Sequence, residues 1–172
     1  MPKIITEFPA FFTATNLEWK RLLEPAKYKL IIIESLRFLV QDRRILLYAF
    51  TIMSNHMHLI WQMQANRNPS VVQRDFLKYT AQKIKCDLIK SDPKFLNEFW
   101  VGTADRKYQF WERNPLSVEL RTHKVFIQKL NYIHWNPVRA GICQWPEEYL
   151  YSSAKFYETG SDNWGFLTHY RD

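Results

Sequence analysis

The sequence predicts an α+β domain of the split βαβ, ferredoxin-like kind: one antiparallel sheet with helices packed on one face. Two observations carry this expectation. Runs of strand character and runs of helical periodicity alternate in the order strand, helix, strand, strand, helix, strand, and the two central strand runs are separated by only two residues, as in a hairpin. With 172 residues the chain is long enough for one full core and short for two. A single domain over residues 1–172 is therefore expected, with a core over about 8–141 and a C-terminal extension over 142–172.

Phe8–Thr15 is short, aromatic and threonine-rich, which suits a first strand. From Glu24-Pro25 onward, Tyr28, Ile31, Ile32, Leu36 and Val40 recur at helical spacing up to about Asp42-Arg43. Ile45–Met53 and His56–Met63 are β-rich runs joined by Ser54-Asn55. A second helix is expected from Asn68-Pro69-Ser70, with Ser70 as N-cap, through Val72, Phe76, Tyr79, Lys83, Ile84 and Leu88 to about Lys90. Pro93 interrupts the next stretch, Ser91–Gly102. Tyr108–Trp111 is expected to be the fourth strand and Ser117–Leu120 a short extension of it. A third helix should follow Thr122 as N-cap and stop at about Asn136, because Pro137 disfavours helical geometry in the residue before it and would fix how the Asn136 side chain leaves the helix end.

The chain carries 24 Lys and Arg against 17 Asp and Glu. Between Arg67 and Arg139 there are 14 basic and 7 acidic residues, so that segment holds the whole surplus. Such a concentration favours a polyanionic partner, nucleic acid before membrane. Within it Arg74, Lys78, Lys85, Arg121, Lys124, Lys129 and Arg139 are the candidate phosphate contacts, while Trp135, Trp145 and Trp164 are candidates for stacking on bases. Cys86 and Cys143 are too few for a disulfide framework or a zinc knuckle and suit a reducing compartment. The N-terminus lacks the apolar core of a signal peptide, and no segment approaches the roughly 20 apolar residues of a membrane span. These features give the expectation of a cytoplasmic, nucleoid-associated protein, monomer or homodimer, with no membrane partner.

Asn55-His56-Met57-His58-Leu59-Ile60 is the most informative stretch. Side chains alternate along a strand, so His56 and His58 emerge on one side and Met57 and Leu59 on the other. Two imidazoles aimed at one point supply half of what a divalent metal needs; the same pattern also describes polar residues on the solvated face of a hairpin. On the third helix, Phe126, Ile127, Leu130 and Ile133 make the apolar arc. Tyr132 falls outside it and lies one turn from Asn136. His134 points elsewhere on that helix and reads as a packing or surface histidine.

The run Tyr132-Ile133-His134-Trp135-Asn136-Pro137-Val138-Arg139-Ala140-Gly141, taken with Asn55-His56-Met57-His58-Leu59, resembles the REP-associated tyrosine transposases, within the one-tyrosine HUH transposase family. The likeness in layout spans roughly Phe8 to Phe156 and includes Trp145-Pro146-Glu147-Glu148-Tyr149 and Ser152-Ser153. It implies that His56, His58 and Asn136 hold Mg²⁺ or Mn²⁺ and that Tyr132 is the nucleophile. The implied reaction is cleavage and rejoining of single-stranded DNA beside a hairpin, through a 5′-phosphotyrosine. Two departures from the family pattern stand out. Ser54 replaces a common proline, and Phe11–Asn16 lacks an arginine-rich continuation. The alternatives are a catalytically silent DNA-binding protein derived from such an enzyme and an unrelated metal hydrolase or cupin-like protein, which would need a further His or acidic ligand, with Glu112 and His123 as the candidates.

Overall fold

The computed structural model describes residues 8–172; Met1–Glu7, expected not to form a signal peptide, lies outside the described residues. The elements are β1 (Ala10–Thr15), α1 (Ala26–Gln41), β2 (Ile45–Ile52), β3 (His56–Met63), α2 (Pro69–Ser91), α3 (Pro93–Asn97), β4 (Leu116–Glu119), α4 (His123–Arg139) and α5 (Ala154–Thr159), with 3₁₀ turns at Leu17–Trp19 and Pro146–Glu148. The four strands form one antiparallel sheet in the order β2-β3-β1-β4. This is the expected split βαβ arrangement. It places β3, which carries both histidines, in the interior of the sheet.

Alternation along the strands sorts residues between two layers. Phe12, Ala14, Leu47, Phe50, Met57, Leu59 and Trp61 join Tyr28, Ile32, Leu36, Val72, Phe76 and Ile84 in the large core, so α1 and α2 cover one face as expected. The opposite face has a smaller core of Phe11, Ala49, Ile60, Leu120, Phe126, Leu130 and Ile133. There the cover is α4, a helix additional to the six-element pattern. In β2 the pairing shifts between Leu47 and Ala49. Tyr48 is thus an extra residue that moves the inward positions from Ile45 and Leu47 to Phe50 and Ile52.

Several boundaries differ from expectation. The fourth strand is Leu116–Glu119, paired with β1; Tyr108 and Trp111 make only isolated bridges, to Trp100 and Asn16. Phe110 and Trp111 are buried, so their apolar character reflects packing beneath the sheet edge, whereas all four residues of β4 are exposed and held by backbone pairing. The N-cap of α2 is Asn68, whose side chain accepts from the Ser70 N–H at 2.9 Å. Pro93, expected only to interrupt, opens the short α3, capped by the Asp92 carboxylate on the Phe95 N–H.

Helix α4 starts at the expected cap, the Thr122 hydroxyl accepting from the Val125 N–H at 3.2 Å. It does not stop at Asn136 but runs through Pro137 to Arg139. Pro137 forfeits one hydrogen bond near the end of the helix, and the Ala140 N–H bonds the Asn136 carbonyl at 3.0 Å to close the last turn. Asn136 therefore keeps helical backbone. The C-terminal extension reaches the outer edge of β2 through Tyr151, Ser153 and Thr168: Ile52 N–H bonds Tyr151 O at 2.9 Å, Ser153 N–H bonds Phe50 O at 3.0 Å and Thr168 N–H bonds Leu47 O at 2.9 Å. That edge is thereby shielded from pairing with other chains.

Candidate active site

The two-residue loop Ser54-Asn55 is closed by the Met53 N–H on the His56 carbonyl at 2.8 Å. From there β3 alternates His56, His58 and Ile60 toward α4, while Met57 and Leu59 enter the large core. The register sets Thr15 opposite His56 on β1, and places His58 between Thr13 on β1 and Thr51 on β2. The imidazole centroids of His56 and His58 are 4.9 Å apart.

Each histidine is fixed through its Nδ1. His56 Nδ1 lies 2.7 Å from Asn55 Oδ1. An amide oxygen only accepts, so His56 carries its proton on Nδ1 and keeps a lone pair on Nε2. The Asn136 amide meets that lone pair, with Nδ2 at 3.2 Å. His58 Nδ1 is 2.7 Å from the Thr13 hydroxyl. If Nδ1 donates there, the His58 Nε2 is also free as a ligand. Burial lowers the pKa of His56. Burial first, then the charges of His56, Arg139 and Lys129, pushes His58 down to about 3. Both rings are thus neutral at physiological pH, the state a metal ligand requires.

Helix α4 delivers the remaining groups. Tyr132 is 43% exposed, its ring edge-on to His58 at 5.3 Å and to Phe11 at 6.0 Å. The Arg139 guanidinium lies over the phenol ring at 4.6 Å and donates to the Tyr132 carbonyl at 2.6 Å. Lys129 Nζ sits 5.5 Å from the same ring and 4.7 Å from that of Phe11. A half-exposed phenol, two cations, two neutral imidazoles and an amide therefore converge at one end of the β3–α4 interface.

Two histidines and one amide form an uncharged N, N, O donor set, which fits a divalent cation whose charge is balanced by a phosphate oxygen. The amide presents nitrogen to His56 as placed, and turning it would present Oδ1. Among the described residues no group of three His, Cys, Asp or Glu side chains could hold a metal. Glu112 accepts from the Glu18 N–H at 2.6 Å, and His123 stacks near Tyr170 at 5.7 Å. Neither joins the histidine pair.

The basic candidates divide between the two layers. Arg121, Lys124, Lys129 and Arg139 precede or lie on α4, on the histidine side; Arg121 is paired with Glu119 at 2.9 Å. Arg74, Lys78 and Lys85 are on α2, beneath the other face, where Arg74 pairs with Asp75 at 2.9 Å and Lys85 lies over the Tyr108 ring at 5.7 Å. Trp135 and Trp145 are exposed, 6.5 Å apart, whereas Trp164 packs against Phe50 and Tyr151. His134 is a packing histidine: it is buried, with Nε2 2.8 Å from the Ser153 hydroxyl.

Sequence reasoning missed two site residues. Asn55 read only as a loop residue, yet its side chain orients His56. Trp19 gave no periodic signal, and its ring stands 5.7 Å from His56.

No family model matches the sequence, and no curated protein does. Among solved structures, a REP-associated tyrosine transposase bound to a REP hairpin is similar in fold, with a TM-score of 0.68 and 18% identity over 100% of this chain and 92% of that one. A candidate transposase from Deinococcus radiodurans R1 gives a TM-score of 0.43 and 14% identity over 77% of this chain and 94% of that one. The first likeness establishes the fold. Among the described residues, no helix is long and apolar enough to cross a membrane.

Proposed function

We propose that this protein is a tyrosine transposase that cleaves and rejoins single-stranded DNA beside hairpins. The observation that carries this reading is the exposed Tyr132 phenol set edge-on to the His58 ring at 5.3 Å, one helical turn from the Asn136 that meets His56. The hairpin-bound transposase of similar fold supports DNA as the partner.

In this reading the phenol oxygen of Tyr132 attacks a DNA phosphorus. The P–O3′ bond breaks, the departing strand leaves as a 3′-hydroxyl that takes up a proton, and the phenolic proton passes to solvent. The 5′-phosphate is then held as a tyrosyl phosphodiester. Because the bond energy is kept in that ester, a 3′-hydroxyl can reverse the step without a nucleotide cofactor. Arg139 and Lys129 hold positive charge beside the ring where negative charge develops on the attacked group. His56, His58 and Asn136 would hold Mg²⁺ or Mn²⁺, which when bound polarises the scissile phosphate and offsets its charge.

The test uses labelled hairpin oligonucleotides with single-stranded flanks, incubated with Mn²⁺ and separated under denaturing conditions. The wild type should give a protein–DNA adduct. Tyr132→Phe removes one oxygen from a half-exposed ring and should lower adduct formation by roughly 10³-fold or more while changing stability by less than about 1 kcal/mol. Retained binding with no adduct in the wild type would favour the silent DNA-binding alternative. A normal adduct in Tyr132→Phe would move the nucleophile elsewhere. Tyr79 stands on α2 beneath the other face and Tyr108 packs edge-on to Trp100 at 5.4 Å, so neither is placed to replace it.

A further inference from the structure

The turn after β1 holds a large aromatic ring in a costly conformation for no packing return. Glu18 has φ 53° and Trp19 φ 58°, two consecutive left-handed residues without a glycine, a region that side chains with a Cβ rarely occupy. The Trp19 indole is nevertheless 61% exposed. Its neighbour is the imidazole of His56, edge-on at 5.7 Å with an interplanar angle of 68°.

Polar contacts, one local and one long-range, pin the turn. The Glu18 N–H donates to Glu112 Oε1 at 2.6 Å, and the Trp19 N–H donates to the Asn16 carbonyl at 3.0 Å. The Asn55 amide then ties the turn to the site: Nδ2 donates to the Trp19 carbonyl at 3.3 Å, while Oδ1 accepts from His56 Nδ1 at 2.7 Å. One side chain sets both the tautomer of His56 and the distance of Trp19 from it.

We infer that Trp19 is a stacking platform for an unpaired base next to the phosphate handled by the histidine site. The inference rests on the reading that single-stranded DNA is the substrate. An exposed π face held rigidly beside such a site accepts any base, because every base presents a π face, and so it fixes the strand with little sequence demand. Strain at the turn, exposure of the ring and its coupling to His56 through Asn55 are then parts of one arrangement.

The experiment compares fluorescence-anisotropy affinities for labelled oligo(dT) and for an abasic sugar-phosphate strand of equal length, in EDTA, so that neither cation nor cleavage contributes. The full-length wild type should prefer oligo(dT) by about tenfold. Trp19→Ala should remove most of that preference while leaving affinity for the abasic strand unchanged. Trp19→Phe should retain most of it, and Phe38→Ala, an exposed aromatic on the other side of the sheet, should alter neither. Thermal melts confirm that each variant is folded. If Trp19→Ala keeps the wild-type preference, or weakens both strands equally, the inference is overturned. Absence of a covalent adduct with Mn²⁺ would defeat the cleavage reading alone, because the base preference is read without chemistry. Wild-type protein that binds neither strand would defeat both.

Discussion

On one face of the sheet, Phe12, Ala14, Met57, Leu59 and Trp61 are sealed beneath α1 and α2. On the other face, the same two strands turn Thr13, Thr15, His56 and His58 toward α4. Both sets come from a strict period of two, so the backbone treats them alike. Their surroundings do not. The first face is covered along its length by apolar helical surface, where a polar group would lose its water without finding a partner. On the second, one stripe of α4 seals Phe11, Ala49 and Ile60 with Phe126, Leu130 and Ile133, and the neighbouring stripe brings Tyr132, Asn136 and Arg139. The polar groups satisfy one another there, His58 through Thr13 and His56 through Asn55 and Asn136. One stripe of the helix builds core and another lines the candidate site.

Removing a histidine should break the second face without breaking the first. His58→Ala and His56→Ala are expected to reduce Mn²⁺-dependent adduct formation by roughly 10³-fold or more. Cooperative unfolding should persist, because the large core lies on the other side of the sheet. Adduct yield across a Mn²⁺ titration, paired with the electron-spin-resonance signal of free Mn²⁺, separates loss of metal from loss of chemistry. Full activity in the double variant would remove the metal site from the proposal.

The contrast explains what the sequence could disclose. Where a period or a local pair decides structure, the residues disclose it: the Ser54-Asn55 hairpin, the common side of His56 and His58, the adjacency of Tyr132 and Asn136, and the Thr122 cap. Where distant groups decide, they do not. The extra residue at Tyr48 carries no glycine or proline to mark it. The left-handed Glu18 and Trp19 are held by Glu112 and Asn55, both remote in sequence. Tyr108–Trp111 has the composition of a strand because Phe110 and Trp111 are buried, while β4 is a strand without being buried. Apolar content reported burial, and pairing was a separate matter.

The junction between α4 and the β2 edge offers a smaller, pH-dependent test. His134 is buried against the Ser153 hydroxyl, which also accepts from the Phe50 N–H at 3.0 Å. Burial pushes the His134 pKa down to about 4. Below an unfolded value of about 6.5, the unfolded chain takes up a proton that the folded chain refuses. Stability from this group is therefore present above pH 6.5 and is lost as the pH falls toward 4, by at most about 3 kcal/mol. His134→Gln should be less stable at pH 7.5 yet show a shallower loss over that window, the remaining slope coming in part from His58. Denaturant midpoints at successive pH values measure it, and an unchanged slope would mean that His134 takes up its proton as readily in the fold as in the unfolded chain.

The smallest expected effect is the sharpest test of the comparison, because it concerns the residue between the two histidines. Met57 is fully buried on the α1/α2 side, one position from each imidazole. If alternation truly separates the layers, Met57→Leu is only a core event. It exchanges side chains of similar volume and should lower stability by less than about 1.5 kcal/mol. Adduct yield and its Mn²⁺ dependence should match the wild type, since neither the backbone register with Thr13 and Thr15 nor the Nδ1 partners of His56 and His58 change. A drop in adduct yield larger than the loss of folded protein would show that packing beneath the sheet is transmitted through β3 to the imidazoles. In that case the two faces would form one coupled unit, and variants at Phe12 or Leu59 should then alter Mn²⁺ dependence as well.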